Sequence, residues 1–224
     1  MLTVLLFLVF LRPDPARKPL PPADSERIQA AHMANIRSMA SNGILLSAGP
    51  FNDTPTTISG IFILKAASLS EAQRIAASDP TVLEHRNIVE VHPGRGPAGI
   101  ADEYFRLHKE NPATPEGMAE HPLCLIYGAT SPARLIDQLH SEGRLGAAGT
   151  IEDGGGLVAL VIFKPGSVED ARVSWKQTLP SNQDNSASST IIGGAPLTCC
   201  HGENIESPRM AGSHDRRCWP CGSG

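Results

Sequence analysis

Cysteine is almost missing from the body of this 224-residue chain. Cys124 stands alone there, and Cys199, Cys200, Cys218 and Cys221 crowd into the last 26 residues. That excludes a disulfide framework for the body of the protein and suits a reducing compartment, so a cytoplasmic location is expected. A basic block is missing too. With a net charge of −4 and a pI near 6.0, the chain lacks the footprint of a nucleic-acid or other polyanion partner. No nucleotide or flavin fingerprint is present, and no cofactor is expected. Asp153-Gly154-Gly155-Gly156 is not followed by the Gly-Lys-Ser/Thr of a phosphate loop, and reads as a turn between two strands.

The N-terminal run Leu2 to Leu11 is almost wholly apolar, yet no charged side chain precedes it and Arg12-Pro13-Asp14-Pro15 follows. A secretory signal normally has a positive charge before such a run and a small-residue cleavage site after it. A membrane helix needs about 20 residues. The run therefore reads as a strand covered on both faces, because such strands are continuously apolar. Export through a cleaved signal is the lesser alternative.

What is present is an internal echo. Asn42-Gly43-Ile44-Leu45-Leu46-Ser47-Ala48-Gly49-Pro50-Phe51 is matched, 100 residues on, by Glu142-Gly143-Arg144-Leu145-Gly146-Ala147-Ala148-Gly149-Thr150-Ile151. Ile61 to Ala72 is matched, 99 residues on, by Leu160 to Ala171. The period is too long for a solenoid and implies two related small domains in tandem.

The first copy, residues 1–100, reads β-α-β-β-α-β. After the first strand and a proline-rich loop, Asp24 or Ser25 caps a helix that ends near Asn42 with Gly43 as its stop. Its apolar stripe is Ile28, His32, Ile36 and Met39. Strands follow at Ile44–Gly49 and Ile61–Leu64, with a polar turn at 52–57 between them. Ser68-Leu69-Ser70-Glu71 forms a capping box, opening a helix to about Ala77 that Asp79-Pro80 stops. A last strand is expected near Ile88 to Val91, before Pro93. This order is the split βαβ or ferredoxin-like unit. One face of its sheet is covered by two helices, so the other needs a second sheet.

Residues 101–120 read as a linker. Residues 121–180 read as a partial, degenerate second copy. Its first strand is Leu123–Tyr127, its short helix runs from Ser131 to His140, and Ser167 to Asp170 repeats the helix cap. No closing strand is visible, and 181–224 read as a disordered or foreign tail.

Taken together, the strand into Leu11-Arg12, the helix core Ala31-His32-Met33-Ala34-Asn35-Ile36, Ala48-Gly49-Pro50, the Ser68 cap, Asp79-Pro80 and Val91-His92-Pro93 resemble the YCII-related (YciI-like) family. The resemblance covers nearly all of residues 3–100, and 121 to about 174 more weakly. It implies an α+β dimeric α/β-barrel, two antiparallel ferredoxin-like sheets face to face, built as an intramolecular pseudo-dimer or a homo-oligomer.

The resemblance also points to His32 and Asp79 as a catalytic pair. Histidine moves protons near neutral pH, and a carboxylate beside it orients the ring and stabilises the imidazolium. The bland reading is a core histidine and a helix stop. By the two offsets the second copy has Pro132 and Thr178 at these positions, so it lacks the pair. Two functions follow: a small-molecule enzyme with isomerase- or lyase-like acid–base chemistry, as in muconolactone isomerases and a YCII-like dehydrochlorinase, or a non-catalytic ligand-binding or assembly module.

Weaker groupings exist. Cys218-Trp219-Pro220-Cys221 has redox C-x-x-C spacing without the strand–helix context. Cys199-Cys200-His201 with Cys218 and Cys221 matches no zinc module, and no metal is expected. His85, His92, His108 and His121 form no ligand spacing, and His92 is expected at the surface.

Overall fold

The computed structural model describes residues 3–51, 57–97, 100–102, 106, 109–111, 119–128, 132–164, 166–178 and 188–197. Strand β1 (Thr3–Pro13) is the apolar N-terminal run. Leu6, Leu8 and Phe10 face one side of the sheet and Phe7, Val9 and Leu11 the other, and all six are buried. Two covered faces explain why the run has no alternation.

Helix α1 (Pro22–Ser41) starts earlier than expected. Neither Asp24 nor Ser25 is its cap. Pro21 takes that position without a side-chain bond, and Pro22 opens the helix with its φ preset. Asp24 instead places its charge in the first turn, where the helix dipole favours it. The C-terminus closes at Gly43, whose φ is 67°. The Gly43 amide bonds the Ala40 carbonyl and the Ile44 amide bonds that of Met39, at 2.9 Å each. These are the paired bonds of a Schellman stop. Of the expected stripe, Ile28 and Met39 are buried, while His32 and Ile36 are half-buried.

β2 (Leu45–Pro50) and β3 (Gly60–Leu64) form a hairpin whose expected turn lies outside the described residues at 52–56. Helix α2 (Leu69–Ala77) begins at the Ser68 cap, which accepts the Glu71 amide at 3.2 Å. The Glu71 carboxylate accepts from the Ala67 amide at 2.7 Å, one residue earlier than a capping box requires. Asp79 does more than stop this helix: it caps a second, short helix, α3 (Pro80–Leu83). β4 runs from Asn87 to Pro97, well past the expected end at Val91, because β1 pairs with it along its whole length, from Thr3↔Pro97 to Pro13↔Asn87.

The second half repeats this order with β5 (Ala119–Tyr127), α4 (Ala133–Ser141), β6 (Leu145–Ile151), β7 (Leu157–Phe163), α5 (Val168–Thr178) and β8 (Ser188–Leu197). Local details recur. The β2–β3 register skips between Leu45 and Ser47, and that of β6–β7 between Leu145 and Ala147. Gly143 closes α4 at φ 68° as Gly43 closes α1. Ser167 accepts the Asp170 amide at 3.0 Å as Ser68 accepts that of Glu71. Asp153 to Gly156 form the turn between β6 and β7, as expected. The expectation of no closing strand is corrected: β8 pairs with β5 from Tyr127↔Ser188 to Ala119↔Leu197. Its sequence, with two glycines and a proline, has no alternation to betray a strand. The rest of 181–224 lies outside the described residues.

All eight strands form one antiparallel sheet in the order β2-β3-β1-β4-β6-β7-β5-β8. It curls until β2 approaches β8. The helices cover the convex side of each half, over Phe62 and Leu64 in the first and over Val161 and Phe163 in the second, where Trp175 of α5 joins the cluster. The concave side is one apolar cluster shared by both halves, with Leu6, Leu8, Phe10, Ile61 and Ile63 against Leu123, Leu125, Leu160 and Ile162. No helix among the described residues is long and apolar enough to cross a membrane.

The halves join by backbone pairing at Gly94↔Ile151 and Arg95↔Thr150. A Cβ on Gly94 would sit 2.2 Å from the Thr150 carbonyl oxygen, so only glycine allows that approach. Gly94→Ala is expected to open this junction, read as faster hydrogen exchange at the Arg95 and Ile151 amides with little change at β1–β3. Gly43→Ala, which meets no atom but holds a left-handed φ, is expected to cost about 1 kcal/mol in urea unfolding.

Candidate functional site

His32 and Asp79, 47 residues apart, meet on the convex side of the first half. α1 carries the histidine, and the break between α2 and α3 carries the aspartate. The Nδ1 atom of His32 lies 2.9 Å from Oδ1 and 2.8 Å from Oδ2 of Asp79. A carboxylate only accepts, so Nδ1 carries the hydrogen. The ring stacks on Phe62 at 6.0 Å between centroids.

Asp79 is 0% exposed. Its Oδ1 accepts from the Thr81 amide at 2.9 Å and the Thr81 hydroxyl at 2.6 Å, and its Oδ2 from Asn35 Nδ2 at 3.0 Å. Thr81 in turn accepts from Asn87 Nδ2 at 3.0 Å. Burial alone would raise the Asp79 pKa. The bond and charge of His32, with the bonds from Thr81 and Asn35, outweigh it and hold the carboxyl below its ordinary value of 3.8. The sequence reading missed Asn35 and Thr81. The signal for Thr81 was the aspartate-capped turn at Asp79-Pro80, and the signal for Asn35 was its place one turn beyond His32.

The ring is not sealed, for its side chain is 13% exposed. Among the described residues nothing bonds its Nε2. One nitrogen is fixed by a buried carboxylate and the other faces outward, which is the arrangement of an oriented acid–base imidazole.

The rest of the molecule offers less at this face. A small apolar cavity of about 40 Å³ lies on the concave side, lined by residues including Leu6, Leu8, Gly94, Thr150, Leu160 and Ile162. Neither His32 nor Asp79 lines it. In the second half Pro132 precedes α4 and Thr178 ends α5, so no equivalent pair forms. Cys124 is fully buried, and burial pushes its thiol up to about 12, which removes it as a nucleophile. Among the described residues no group of three or more His, Cys, Asp or Glu side chains is placed to hold a metal ion. Cys199, Cys200, His201, Cys218, Cys221 and His108 lie outside the described residues.

Two other histidines are placed differently from expectation. His92 is not a surface residue: it is 7% exposed and its Nδ1 contacts the Asp153 carboxylate of the other half. It shares the concave face with its register partner Leu8. His121 is buried with Nδ1 2.8 Å from the Phe163 carbonyl oxygen.

Residues 5–93 match the family model described as the YCII-related domain. No curated protein is significantly similar to the chain. The matched stretch, similar to a YCII-related domain, runs from β1 into β4 and contains both His32 and Asp79.

The buried carboxylate makes acid stability a test of this network. Its folded-state pKa is lowered, so its contribution is present above the ordinary carboxylate value and is lost as pH falls through the lowered one. Urea unfolding from about pH 5 to pH 2 should show this loss in the wild type and not in Asp79→Asn. Asp79→Ala, which strands Thr81, Asn35 and His32, should cost about 3 kcal/mol at neutral pH.

Proposed function

We propose that the YCII-related domain is a small-molecule enzyme of the isomerase or lyase type, with His32 as its general acid–base and Asp79 as the group that orients it. The observation that carries this reading is the two-point contact of His32 Nδ1 with a fully buried, fully bonded Asp79. Such an aspartate fixes one tautomer and favours the imidazolium that forms when Nε2 takes a proton. Asn35 and Thr81 are positioning residues, since they hold the carboxylate and face no solvent-reaching nitrogen.

On this reading the second half is a partner in assembly rather than a second site. The repeated register skip, glycine stop and serine cap support tandem ferredoxin-like copies, and the curled sheet supports an intramolecular pseudo-dimer of the dimeric α/β-barrel type. Cys124, the one cysteine among the described residues, is buried and free, which suits the cytosol. The competing reading, a binding or assembly module without catalysis, draws on the small concave cavity of about 40 Å³, well below the ~300–1,000 Å³ of drug-sized ligand pockets.

The experiment is a panel of enolisable and elimination-prone small molecules, followed by NMR for deuterium uptake from solvent or for elimination. Turnover by the wild type is expected to fall by about 10²–10⁴-fold in His32→Asn, with circular dichroism unchanged. Asp79→Asn should fall similarly and lose the Nδ1–H tautomer in ring ¹⁵N spectra. Activity that survives His32→Asn in a folded protein would sink the enzymatic role of this pair.

A further inference from the structure

A second imidazole–carboxylate contact lies on the opposite side of the sheet, and it needs both halves. His92 on β4 reaches Asp153 in the β6–β7 turn through Nδ1. Its ring stands edge-on to Phe10, with centroids 5.2 Å apart. The His92 side chain is 9% exposed, and its Nε2 has no hydrogen-bond partner among the described residues. The nearest charged atom is Oε1 of Glu90, 3.0 Å away but not aligned for a bond. The other oxygen of Glu90 accepts from Arg12 Nε at 2.6 Å. Arg12 lies over the same Phe10 ring, with Cζ 5.5 Å from its centroid, and donates to the Thr57 hydroxyl at 2.8 Å. Tyr127 packs on the concave cluster nearby. Burial raises its pKa, Arg12 acts to lower it and Glu90 to raise it.

One carboxylate therefore sits between a guanidinium and an imidazole, above an aromatic ring. It comes from a side chain that is 44% exposed, whereas the groups that face it are much less so, at 26% for Arg12 and 9% for His92. A half-exposed group occupies a position built from more buried ones. Arginine forks match a carboxylate in plane, and the half-buried Tyr127 ring suits an apolar body attached to it. We propose that the position between Arg12 and His92, filled here by the Glu90 carboxylate, is a binding site for a small organic carboxylate with an apolar body, completed by Asp153 from the second half. Glu90 acts as its resident competitor and must swing toward solvent for a ligand to enter. Asp153 takes the Nδ1 hydrogen, so Nε2 donates to the incoming anion when the ring is the imidazolium. Burial disfavours the charged Asp153, but the bond and charge of His92 and the backbone amides of Gly155 and Asp153 together outweigh it and keep the carboxyl below its ordinary value.

Benzoate is the probe, titrated into the full chain while the His92 and Tyr127 ring resonances are followed. Saturable shifts at both are expected, with the His32 resonances still. Glu90→Gln removes the competing charge, and apparent affinity should rise by about tenfold, as expected when an occluded site becomes open. Arg12→Gln should abolish binding, and Arg12→Lys, which keeps the charge and the stem, should weaken it while leaving it measurable. The proposal is overturned by unsaturable or absent shifts in wild type and Glu90→Gln alike, by unchanged affinity in Glu90→Gln, or by binding reported at His32 instead. Because His32 lies across the sheet, these outcomes are independent of whether the His32–Asp79 pair is catalytic.

Discussion

The rest of the structure depends on the need to bury the concave face of the sheet. β1 alone presents Leu6, Leu8 and Phe10 there, and β3 adds Ile61 and Ile63. Each such side chain gains about 2 kcal/mol on leaving water. Five of them exposed would cancel much of the net stability of about 5–15 kcal/mol that a domain possesses. Helices α1 and α2 cannot help, because both sit on the convex side over Phe7, Val9 and Phe62. Leu123, Leu125, Leu160 and Ile162 of the second half supply the missing cover. The short β4–β6 pairing only sets where the two halves meet. Most of what holds them together is this shared core.

The same constraint accounts for what the second half keeps and what it loses. It keeps the strands that face inward, the register skip that shapes its hairpin, and the glycine that stops its first helix. It lacks a histidine and an aspartate where the first half has His32 and Asp79. Those two residues touch the convex side, which the concave core does not need. Changes there leave the shared interior intact, so the shared packing and the His32–Asp79 pair lie on the two faces of one sheet.

Legibility in the sequence followed the range of the interaction. The Ser68 and Ser167 caps and the Gly43 stop rest on neighbours within a few residues and could be read directly, and β1, though covered by distant residues, shows its two covered faces in its own unbroken apolar run. The start of α1 could not, because Pro21 and Pro22 open it through backbone geometry with no capping side chain. β8 was hidden for a related reason: its pairing with β5 is a backbone match, and its glycines and proline obscure any pattern. His32 and Asp79 were picked out as a pair by the family resemblance rather than by their spacing. His92 was misplaced because the residue that defines it, Asp153, is 61 positions away in the other half.

The two histidines within hydrogen-bond distance of an aspartate both sit in the first half, but they are built on different terms. The partners of His32 all come from the same domain, with Asp79 anchored by Thr81 and Asn35. That pair is complete whether or not the second half is docked. His92 meets its aspartate only when the β6–β7 turn lies against β4, and its other flank is a half-exposed glutamate rather than a buried anchor. Rigidity in the first case suits a group whose tautomer must not change. Exposure at Glu90 in the second suits the proposed exchange of its occupant, because a fully buried competitor could not leave without opening the core. Fusing the two halves in one chain then has a chemical consequence beyond covering a sheet: it fixes Asp153 beside His92 in every molecule, independent of concentration, where a dimer of separate chains would hold such a contact only while associated.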